Sequence, residues 1–333
     1  MKLTPIGVGA WAMGGGDWAF AWGPQDDNDS IAAIHSALDK GVNWIDTAAV
    51  YGLGHSEEVV GRAIKGRSNP PYVFTKCERI WNEQRQIQKS MKADSIRREV
   101  ENSLRRLQVE QIDLYQIHWP DRYVPSFGTW SYDPSQERGS VAIEEQLEAF
   151  AEVAQAGKVR CFGLSNETPW GVMEFVRLAA EKKLPRVVSV QNAYNLLNRT
   201  FEMGLAEVHR HVDVPLLAYS PLAFGHLTGK YLNGAKPEGA RLTRFPAFGP
   251  RYARRNVPEA TVAYAELAAK AGLSPATMAI AFVRSRWFTA STIIGARSME
   301  QLRENIAAGG ATLDEGVLAA INEIHDRYPN PAL

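Results

Sequence analysis

Short apolar runs rich in β-branched residues recur eight times along this chain, with polar, helix-forming stretches between them. The runs are typical of buried strands, and the stretches carry apolar residues at helical spacing. Examples are DNDSIAAIHSALDKG, DSIRREVENSLRRLQ, IEEQLEAFAEVAQAGK and WGVMEFVRLAAEKK. Gly41, after the first of them, is a helix stop. The predicted strands are Pro5–Gly9, Asn43–Asp46, Tyr72–Lys76, Ile112–His118, Val159–Leu164, Val187–Asn192, Pro215–Ser220 and Ser291–Gly295.

This alternation of strands and helices predicts a parallel sheet. Eight strand-helix units fit a closed (β/α)8 TIM barrel better than an open, doubly wound sheet, which is the alternative architecture. We therefore predict an α/β protein with one domain over residues 1–333. Its long loops are expected at about 119–142 and 221–257.

Charge and cysteine content narrow the class of protein. Lys+Arg and Asp+Glu each total 37, so no overall field attracts nucleic acid or an anionic membrane. Cys77 and Cys161 are the only cysteines, which fits a reducing compartment. The apolar start is short and broken by proline and glycine, unlike a signal peptide, and no run of about 18 apolar residues could span a membrane. We expect a cytoplasmic protein with a small-molecule partner and leave its oligomeric state open.

Four polar residues cluster at predicted strand ends, where a barrel of this type carries its chemistry. Asp46, Lys76 and His118 end three different strands, and Tyr51 begins the connection after Asp46. Each alone could be structural: a turn cap, a surface lysine, a core histidine. A lysine among the interior layers needs a carboxylate, however, and Asp46 can supply it. A phenol beside that cation is expected to have a lowered pKa.

Seven of the nine tryptophans, including Trp11 and Trp170, fall in or beside the same loops. They can form the wall of an apolar pocket, although tryptophan also fills loop cores. The residues that we assign to a substrate pocket are Trp18, Trp22, Trp81, Trp119 and Trp130.

Several motifs occur together in one order: DTAAVYG, FTK, QIHWPD, GLSNE, VQNAYN, AYSPLAFGHLTGKY and IIGAR. With them the chain resembles the aldo-keto reductase superfamily from about Pro5 to past Asn305. The stretches PRVVSVQNAYNLLNRTFEMGLAEV and LTGKYLNGAKPEGAR look most like its bacterial Tas-like branch. The resemblance implies a barrel that binds NADPH without a Rossmann fold and reduces aldehydes or ketones.

The resemblance also implies roles for the four polar residues. Tyr51 would be the proton donor, Lys76 and Asp46 its tuning partners, and His118 the residue that orients the carbonyl or assists proton transfer. The chemistry agrees, because hydride delivery leaves negative charge on the carbonyl oxygen and a donor must stand ready there.

A cofactor site follows from the same resemblance. Ser165, Asn166 and Gln191 would hold the nicotinamide carboxamide, and Tyr219 would stack on the ring. SPLAFGHLTGKY would surround the pyrophosphate. The alternative is that Ser165, Asn166 and Gln191 have a purely structural role as helix caps. The full predicted set is Trp22, Ser165, Asn166, Gln191, Tyr219, Ser220, Leu222, Gly225, Leu227, Lys230, Gly295, Arg297, Gln301, Glu304 and Asn305.

The segment after the last strand bears on the choice of cofactor. Ser298 and Gln301 have the spacing of a capping box and predict a helix start, which is a known phosphate position in barrels. Arg297 beside it could pair with a 2′-phosphate and favour NADPH over NADH, or could be a solvated surface charge. Five more arginines occupy the loop that we expect to fold over the cofactor, and most of them are expected to be solvated: Arg241, Arg244, Arg251, Arg254 and Arg255.

Several other chemistries lack their motifs. The seven histidines show no metal-ligand spacing, no GxSxG nucleophile motif occurs, and no GxGxxG follows a strand. We predict an enzyme with no metal that acts on a small carbonyl substrate. The alternative is a nucleotide-binding partner protein that resembles the potassium-channel β subunits. Members of the family usually carry a longer N-terminal hairpin across the barrel bottom than MKLTPIGVG provides, a departure expected to bear on stability.

Overall fold

A computed structural model describes residues 1–129, 131–246, 248–296 and 298–333. Eight parallel strands form a closed barrel, in the order β2-β1-β9-β8-β7-β6-β5-β3, and the pairing of β2 with β3 closes it. The predicted TIM barrel is therefore confirmed. Its strands are β1 Ile6–Gly9, β2 Trp44–Asp46, β3 Tyr72–Trp81, β5 Ile112–Ile117, β6 Val159–Ser165, β7 Val187–Ala193, β8 Leu216–Tyr219 and β9 Thr289–Ile294. A ninth strand, β4 Ile87–Ser90, lies outside the barrel.

Helices between the strands cover the barrel and match the predicted stretches. Many begin at a side-chain cap, such as Asp26 before the first helix and Thr168 before the fifth, because these oxygens accept hydrogen bonds from the first turn. The helices are α1 Asp27–Asp39, α2 His55–Ile64, α3 Ala93–Leu107, α4 Ile143–Gln155, α5 Pro169–Lys182, α6 Leu205–Val212, α7 Arg241–Arg244, α8 Val257–Lys270, α9 Pro275–Ser285, α10 Met299–Ala308 and α11 Glu315–Arg327. In the part of the chain that the structure describes, no helix is both long and apolar enough to cross a membrane.

Alternation along the strands separates two cores. Ile45, Val73 and Tyr115 face the helices in the larger core. The smaller core fills the barrel interior with one residue from each of five strands, namely Trp44, Phe74, Leu114, Leu217 and Ile293. The indole of Trp44 needs a glycine opposite, since a Cβ on Gly7 would lie 2.0 Å from its ring.

Residues at the chain start are bonded to the barrel bottom. Trp44 Nε1 donates to Ser291 Oγ at 3.1 Å, and Thr4 N donates to Asn43 Oδ1 at 2.8 Å. Leu3 packs against the interior core. The bottom of the barrel is thus filled by a buried tryptophan and tied to residues 3 and 4.

One supersecondary element was not predicted. The strand expected to end at Lys76 continues to Trp81 and turns back as β4, pairing Glu78 with Ser90 in an antiparallel hairpin. Its turn lacks the Asn-Gly or Asp-Gly signal of tight hairpins, and Arg85 adopts a left-handed φ of 61° there. The hairpin lies at the carboxyl end of β3 and so at the mouth of the barrel.

The two predicted long loops meet at this mouth. Arg254 Nη1 donates to the carbonyl oxygen of Gly128 at 3.2 Å, and the Arg251 guanidinium lies 4.5 Å from the ring centroid of Phe127. Arg251 is only 5% exposed, and Arg241 stacks 3.5 Å from the ring centroid of Trp22. Arg251 is buried and Arg241 is partly covered by an aromatic face, so these two are exceptions to the expectation that most arginines of this loop are solvated.

Candidate active site

Tyr51 lies on a tight turn between β2 and α2 that is braced by backbone packing. Gly52 adopts a left-handed φ of 64°, and a Cβ on it would lie 2.1 Å from the carbonyl oxygen of Gly14. Ser56 Oγ, at the start of α2, donates to the carbonyl oxygen of Ala10 at 2.8 Å. The turn therefore holds Tyr51 in place through contacts with the connection after β1.

Lys76 and Asp46 form a buried ion pair beneath this turn. Lys76 Nζ donates to Asp46 Oδ2 at 2.5 Å and to the carbonyl oxygen of Thr47 at 2.8 Å. The two residues, Lys76 and Asp46, are 1% and 3% exposed. Each stands two residues beyond an interior core residue on its strand, so both point into the barrel.

Two amides complete the environment of Asp46. Gln191 Nε2 donates to Asp46 Oδ1 at 2.7 Å, and Gln116 Nε2 donates to the same oxygen at 3.1 Å. Gln191 Nε2 also donates to Gln116 Oε1 at 3.0 Å. The carboxylate is thus satisfied by one ammonium and two amides, as a buried charge requires.

The Tyr51 ring stands between the ion pair and His118. Lys76 Nζ lies 5.2 Å from the Tyr51 ring centroid, and the imidazole of His118 lies 5.7 Å from it, edge to face. His118 Nδ1 is buried and has no hydrogen-bond partner among the described residues. The structure therefore brings together all four residues predicted at the strand ends.

The protonation states differ from the prediction for Tyr51. Burial raises the pKa of the Tyr51 phenol well above its ordinary value, and the negative charge of Asp46 raises it further. The expected lowering by Lys76 is wrong in sign, because desolvation of a phenolate outweighs a cation already paired with a carboxylate. Burial lowers the pKa of Lys76, while Asp46 opposes that change. Burial, with Lys76 and Arg79, lowers the pKa of His118 well below its usual range. Tyr51 is accordingly a neutral hydrogen-bond donor, and the imidazole is neutral.

The residues predicted to hold a carboxamide are linked across three strand ends. Asn166 adopts a left-handed φ of 55°, and its Nδ2 donates to the carbonyl oxygen of His118 at 2.9 Å. Tyr219 Oη donates to Asn166 Oδ1 at 2.6 Å. Ser165 Oγ donates to the backbone oxygen of Gln191 at 2.8 Å. These side chains lie at the barrel mouth beside His118.

The segment after β8 has the backbone of an anion cradle. Ser220, Ala223, Phe224 and Gly225 adopt left-handed φ values of 56°, 47°, 56° and 95°. Turns that contain such residues can direct backbone N–H groups toward an anion, although the N–H groups of Ala223 and Gly225 donate here to the carbonyl oxygens of Ser220 and Leu222. The φ of Gly225 favours glycine, and a Cβ on it would also lie 2.6 Å from Lys230 Cε. These residues fit the pyrophosphate role predicted for them, and Leu222 and Leu227 pack in the core below.

The predicted helix start after β9 is confirmed. Ser298 is the N-cap of α10, and its Oγ accepts from the backbone N–H of Gln301 at 3.2 Å. Asn305 is buried and its Nδ2 donates to the carbonyl oxygen of Gly295 at 3.3 Å. Glu304 Oε1 accepts instead from Ser274 Oγ, at 2.6 Å. The prediction for Arg297 lies outside the described residues.

Aromatic rings surround the Tyr51 side of the mouth. Trp11 and Trp18 each have their ring centroid 6.1 Å from that of Tyr51. Trp22 lies 4.7 Å from Trp11 and 4.3 Å from Phe248. Two of the predicted pocket residues, Trp18 and Trp22, therefore belong to this aromatic wall.

The other three predicted pocket residues differ in their positions. Trp119 follows His118 directly and packs against Phe127, with ring centroids 4.9 Å apart. Trp81 lies on the hairpin, where the Arg106 guanidinium stands 5.4 Å from its ring centroid. Trp130 lies outside the described residues.

Comparison with known proteins decides the family. The sequence model of the Aldo/keto reductase family matches residues 5–326. The chain belongs to this family. Protein tas of Escherichia coli strain K12 is 40% identical to it over 345 residues, covering 100% of this chain and 97% of that protein. The NADH-specific methylglyoxal reductase of the same organism is 31% identical, over 97% of this chain and 95% of that protein. The solved structure of the glycerol dehydrogenase AKR11B4 from Gluconobacter oxydans is 30% identical in sequence and has a TM-score of 0.78. The match covers 98% of this chain and 93% of the dehydrogenase chain.

Membership of the aldo/keto reductase family makes this protein an oxidoreductase that uses a nicotinamide cofactor and small carbonyl compounds. Its resemblance to the Tas-like branch is confirmed. The name of the NADH-specific relative shows that membership alone does not choose between NADPH and NADH. No cluster of metal-ligating side chains occurs within the described ranges.

Sequence reasoning overlooked Gln116 in this aldo/keto reductase site and did not predict the contacts of two arginines. Gln116 stands at the inward position between Leu114 and His118, and a polar residue there is the signal that could have revealed it. Arg241 and Arg251 were expected in the loop over the cofactor, but their ring partners were not predictable, because only the folded loop brings those rings to them.

Proposed function

We propose that this protein reduces aldehydes or ketones to alcohols with NADPH, using Tyr51 as the proton donor. The observation that carries the proposal is the neutral Tyr51 phenol set between the Lys76–Asp46 ion pair and His118 at the carboxyl ends of the barrel strands. Active sites of such barrels lie at this end.

A bound nicotinamide supplies hydride to the carbonyl carbon. Tyr51 donates a hydrogen bond to the carbonyl oxygen and then its proton, as negative charge develops there. Its raised pKa keeps the proton on the phenol before reaction. Lys76 stabilises the resulting phenolate as a cation nearby, and Asp46 keeps that lysine charged and in position.

His118 has a different part. Its imidazole is neutral, since burial and two neighbouring cations lower its pKa. A neutral imidazole donates from one ring nitrogen and accepts at the other. It therefore orients the carbonyl oxygen by a hydrogen bond rather than by charge, and leaves proton donation to Tyr51.

The cofactor would be held by the groups already described at the mouth. Ser165, Asn166 and Gln191 would contact the carboxamide, Tyr219 the ring, and the cradle with Lys230 the pyrophosphate. Support comes from the left-handed residues Ser220, Ala223, Phe224 and Gly225, since such turns can direct backbone N–H groups toward an anion. Trp22, Gly295, Gln301, Glu304 and Asn305 complete the proposed set.

Preference for NADPH is proposed to come from Arg297, which precedes Ser298 in the sequence. Arg297→Ala should weaken binding of NADPH by roughly 1.5–3 kcal/mol, as expected for a lost charge-assisted hydrogen bond, and leave NADH nearly unchanged. Fluorescence titration with both cofactors measures this ratio. Equal weakening of both would place the phosphate elsewhere.

The substrate pocket is proposed to be aromatic and largely uncharged at its Tyr51 side, because Trp11 and Trp18 lie against the phenol. Small apolar aldehydes and ketones suit such a wall. A cytoplasmic location is supported by the two unpaired cysteines, which favour a reducing compartment.

Steady-state oxidation of NADPH with a panel of aldehydes, ketones and quinones tests the function. We expect turnover with at least one carbonyl class and no NADPH consumption without substrate. Tight NADPH binding with no turnover across the panel would favour the nucleotide-binding partner protein instead.

A further inference from the structure

Gln116 is a fully buried side chain that the proposed chemistry does not use. It occupies an inward position on β5, two residues beyond Leu114 of the interior core and two before His118. A polar amide at such a position must satisfy its hydrogen bonds inside the barrel. Its neighbours should therefore reveal what it does.

The two ends of the Gln116 amide serve two different residues. Its nitrogen donates to Asp46 Oδ1 at 3.1 Å, and its oxygen accepts from Gln191 Nε2 at 3.0 Å. Gln191 Nε2 donates in addition to Asp46 Oδ1 at 2.7 Å. The three side chains form a closed triangle of hydrogen bonds, with Lys76 attached to the other oxygen of Asp46.

The triangle determines what Gln191 can offer to a ligand. A primary amide has two N–H donors and one oxygen acceptor. Both hydrogens of Gln191 are committed, one to Asp46 and one to Gln116. The oxygen is then the atom left for recognition, and two fixed hydrogens hold it in one plane.

We propose that Gln116 is a positioning residue that, with Asp46, fixes the amide of Gln191 so that its oxygen accepts a hydrogen bond from the carboxamide N–H of the nicotinamide. The inference rests on the proposed function, because it takes Gln191 as a cofactor contact. Without Gln116 the amide keeps its single bond to Asp46 and can rotate about it. Recognition of the carboxamide N–H should then weaken although the ion pair remains.

Binding of NADP⁺ and of its acetylpyridine analogue tests the proposal without turnover. The analogue keeps a carbonyl group but replaces the amide NH₂ by a methyl group. Wild-type protein should bind NADP⁺ about five- to tenfold more tightly than the analogue, the value of one hydrogen bond. In Gln116→Met this ratio should fall to within about twofold, measured by quenching of protein fluorescence.

Two further variants separate positioning from packing. Leu114→Met disturbs the interior core one layer below and should keep the wild-type ratio. Gln116→Glu retains an oxygen for Gln191 in either protonation state and should also keep the ratio. It places a second carboxyl group beside Asp46, so its turnover should fall as pH rises and the introduced group ionises.

The proposed function and the role of Gln116 would be overturned by different results. Failure of wild-type protein to bind NADP⁺ would overturn the proposed function and this inference with it. Wild-type binding with no discrimination between the two ligands, or a wild-type ratio in Gln116→Met, would overturn the role of Gln116 alone. If Gln116→Met does not fold, Gln116→Asn can replace it. Its side chain is one methylene shorter, so its oxygen lies farther from Gln191, and the binding ratio should again fall to within about twofold.

Discussion

The reactivity of a phenol is set by what surrounds it, and Tyr51 has both a cation and an apolar wall for neighbours. Lys76 approaches the ring from below, while Trp11 and Trp18 lie against it. Burial and the negative charge of Asp46 both raise the pKa of Tyr51. The phenol therefore acts by donating a hydrogen bond at neutral pH and ionises only as charge develops on the substrate.

Tyr51→Phe should separate binding from turnover. The substitution removes the hydroxyl and keeps the ring, so affinity for NADPH should stay within about threefold. Carbonyl reduction should fall by about 10²–10⁴, the range for loss of a general acid. Single-turnover kinetics with a good aldehyde substrate, together with a fluorescence titration, measures both quantities.

Tyr264→Phe is a matched control for that loss. Its hydroxyl is buried and has no hydrogen-bond partner in the described parts of the chain, so the substitution should leave turnover unchanged. If Tyr51→Phe retained near wild-type turnover between about pH 6 and 9, the proton-donor role would have to be withdrawn.

For single residues, the sequence predicted which side chains meet better than it predicted their pKa shifts. The pairing of Lys76 with Asp46 follows from strand alternation, since a lysine inside a barrel requires a carboxylate. The direction of the pKa shift of Tyr51 does not follow, because desolvation depends on rings that come from distant loops. Gln116 was missed because a lone amide has no chemistry of its own until its partners are known.

Among the elements, the β3–β4 hairpin carries an unusual carboxylate. Glu78 is fully buried and adopts a left-handed φ of 83°, which is costly for a residue with a side chain. Arg79 Nε lies 2.9 Å from its Oε2, but neither oxygen accepts a well-directed hydrogen bond within the described residues. Burial raises the pKa of Glu78 to about 7, against the opposing charges of Arg79 and Lys89.

Glu78 should therefore make stability depend on pH. Between its ordinary pKa of 4.5 and about 7 the folded protein binds a proton that the unfolded chain releases, so the free energy of unfolding falls as pH rises through this window. Glu78→Gln should remove this loss. The change that it causes in the free energy of unfolding should therefore be more favourable at about pH 8 than at about pH 4.5, by on the order of 3 kcal/mol. Urea unfolding at both pH values measures the difference.

Glu83→Gln, an exposed position in the turn of the same hairpin, is the control and should change stability equally at both pH values. A Glu78→Gln protein that loses stability above pH 7 would mean that the carboxylate is well paired in the folded state, contrary to its environment in the structure.

The barrel strands and main helices were predictable because their signals are local. Runs such as Val187–Asn192 are rich in valine, and Ser298 predicts the capped start of α10. The hairpin was not predictable, since β4 reads IQKS and has little apolar content of its own. It forms because β3 extends beyond the barrel and offers a partner.

For the whole molecule, the interior is divided into an apolar layer below and a polar layer above. Trp44, Phe74 and Leu114 lie below Asp46, Lys76 and Gln116 respectively, two residues apart on each strand. The lower layer excludes water from the ion pair on that side, while the loops cover the other. The fold therefore provides the low-dielectric surroundings that strengthen electrostatic contacts at the site.

Trp44→Ala should test the importance of the lower layer. The indole is fully buried at the barrel bottom, so its removal should destabilise the protein by about 3–5 kcal/mol. Trp170, 60% exposed on α5, is the matched control, and Trp170→Ala should cost less than about 1 kcal/mol. Comparable losses in chemical unfolding would mean that the bottom of the barrel is stabilised by other groups.

The first and last barrel strands are neighbours: β1 pairs with β9 through Ile6–Thr292 and Val8–Ile294. During synthesis the amino-terminal strand leaves the ribosome long before its partner has been translated. Until β9 is made, the N–H and C=O groups on one edge of β1 have no strand to pair with. Pairing between strands so far apart in the sequence is also slow. Aggregation of the growing chain should accordingly be greatest before β9 emerges, and a circular permutant that begins with β9 should aggregate less in cell-free translation.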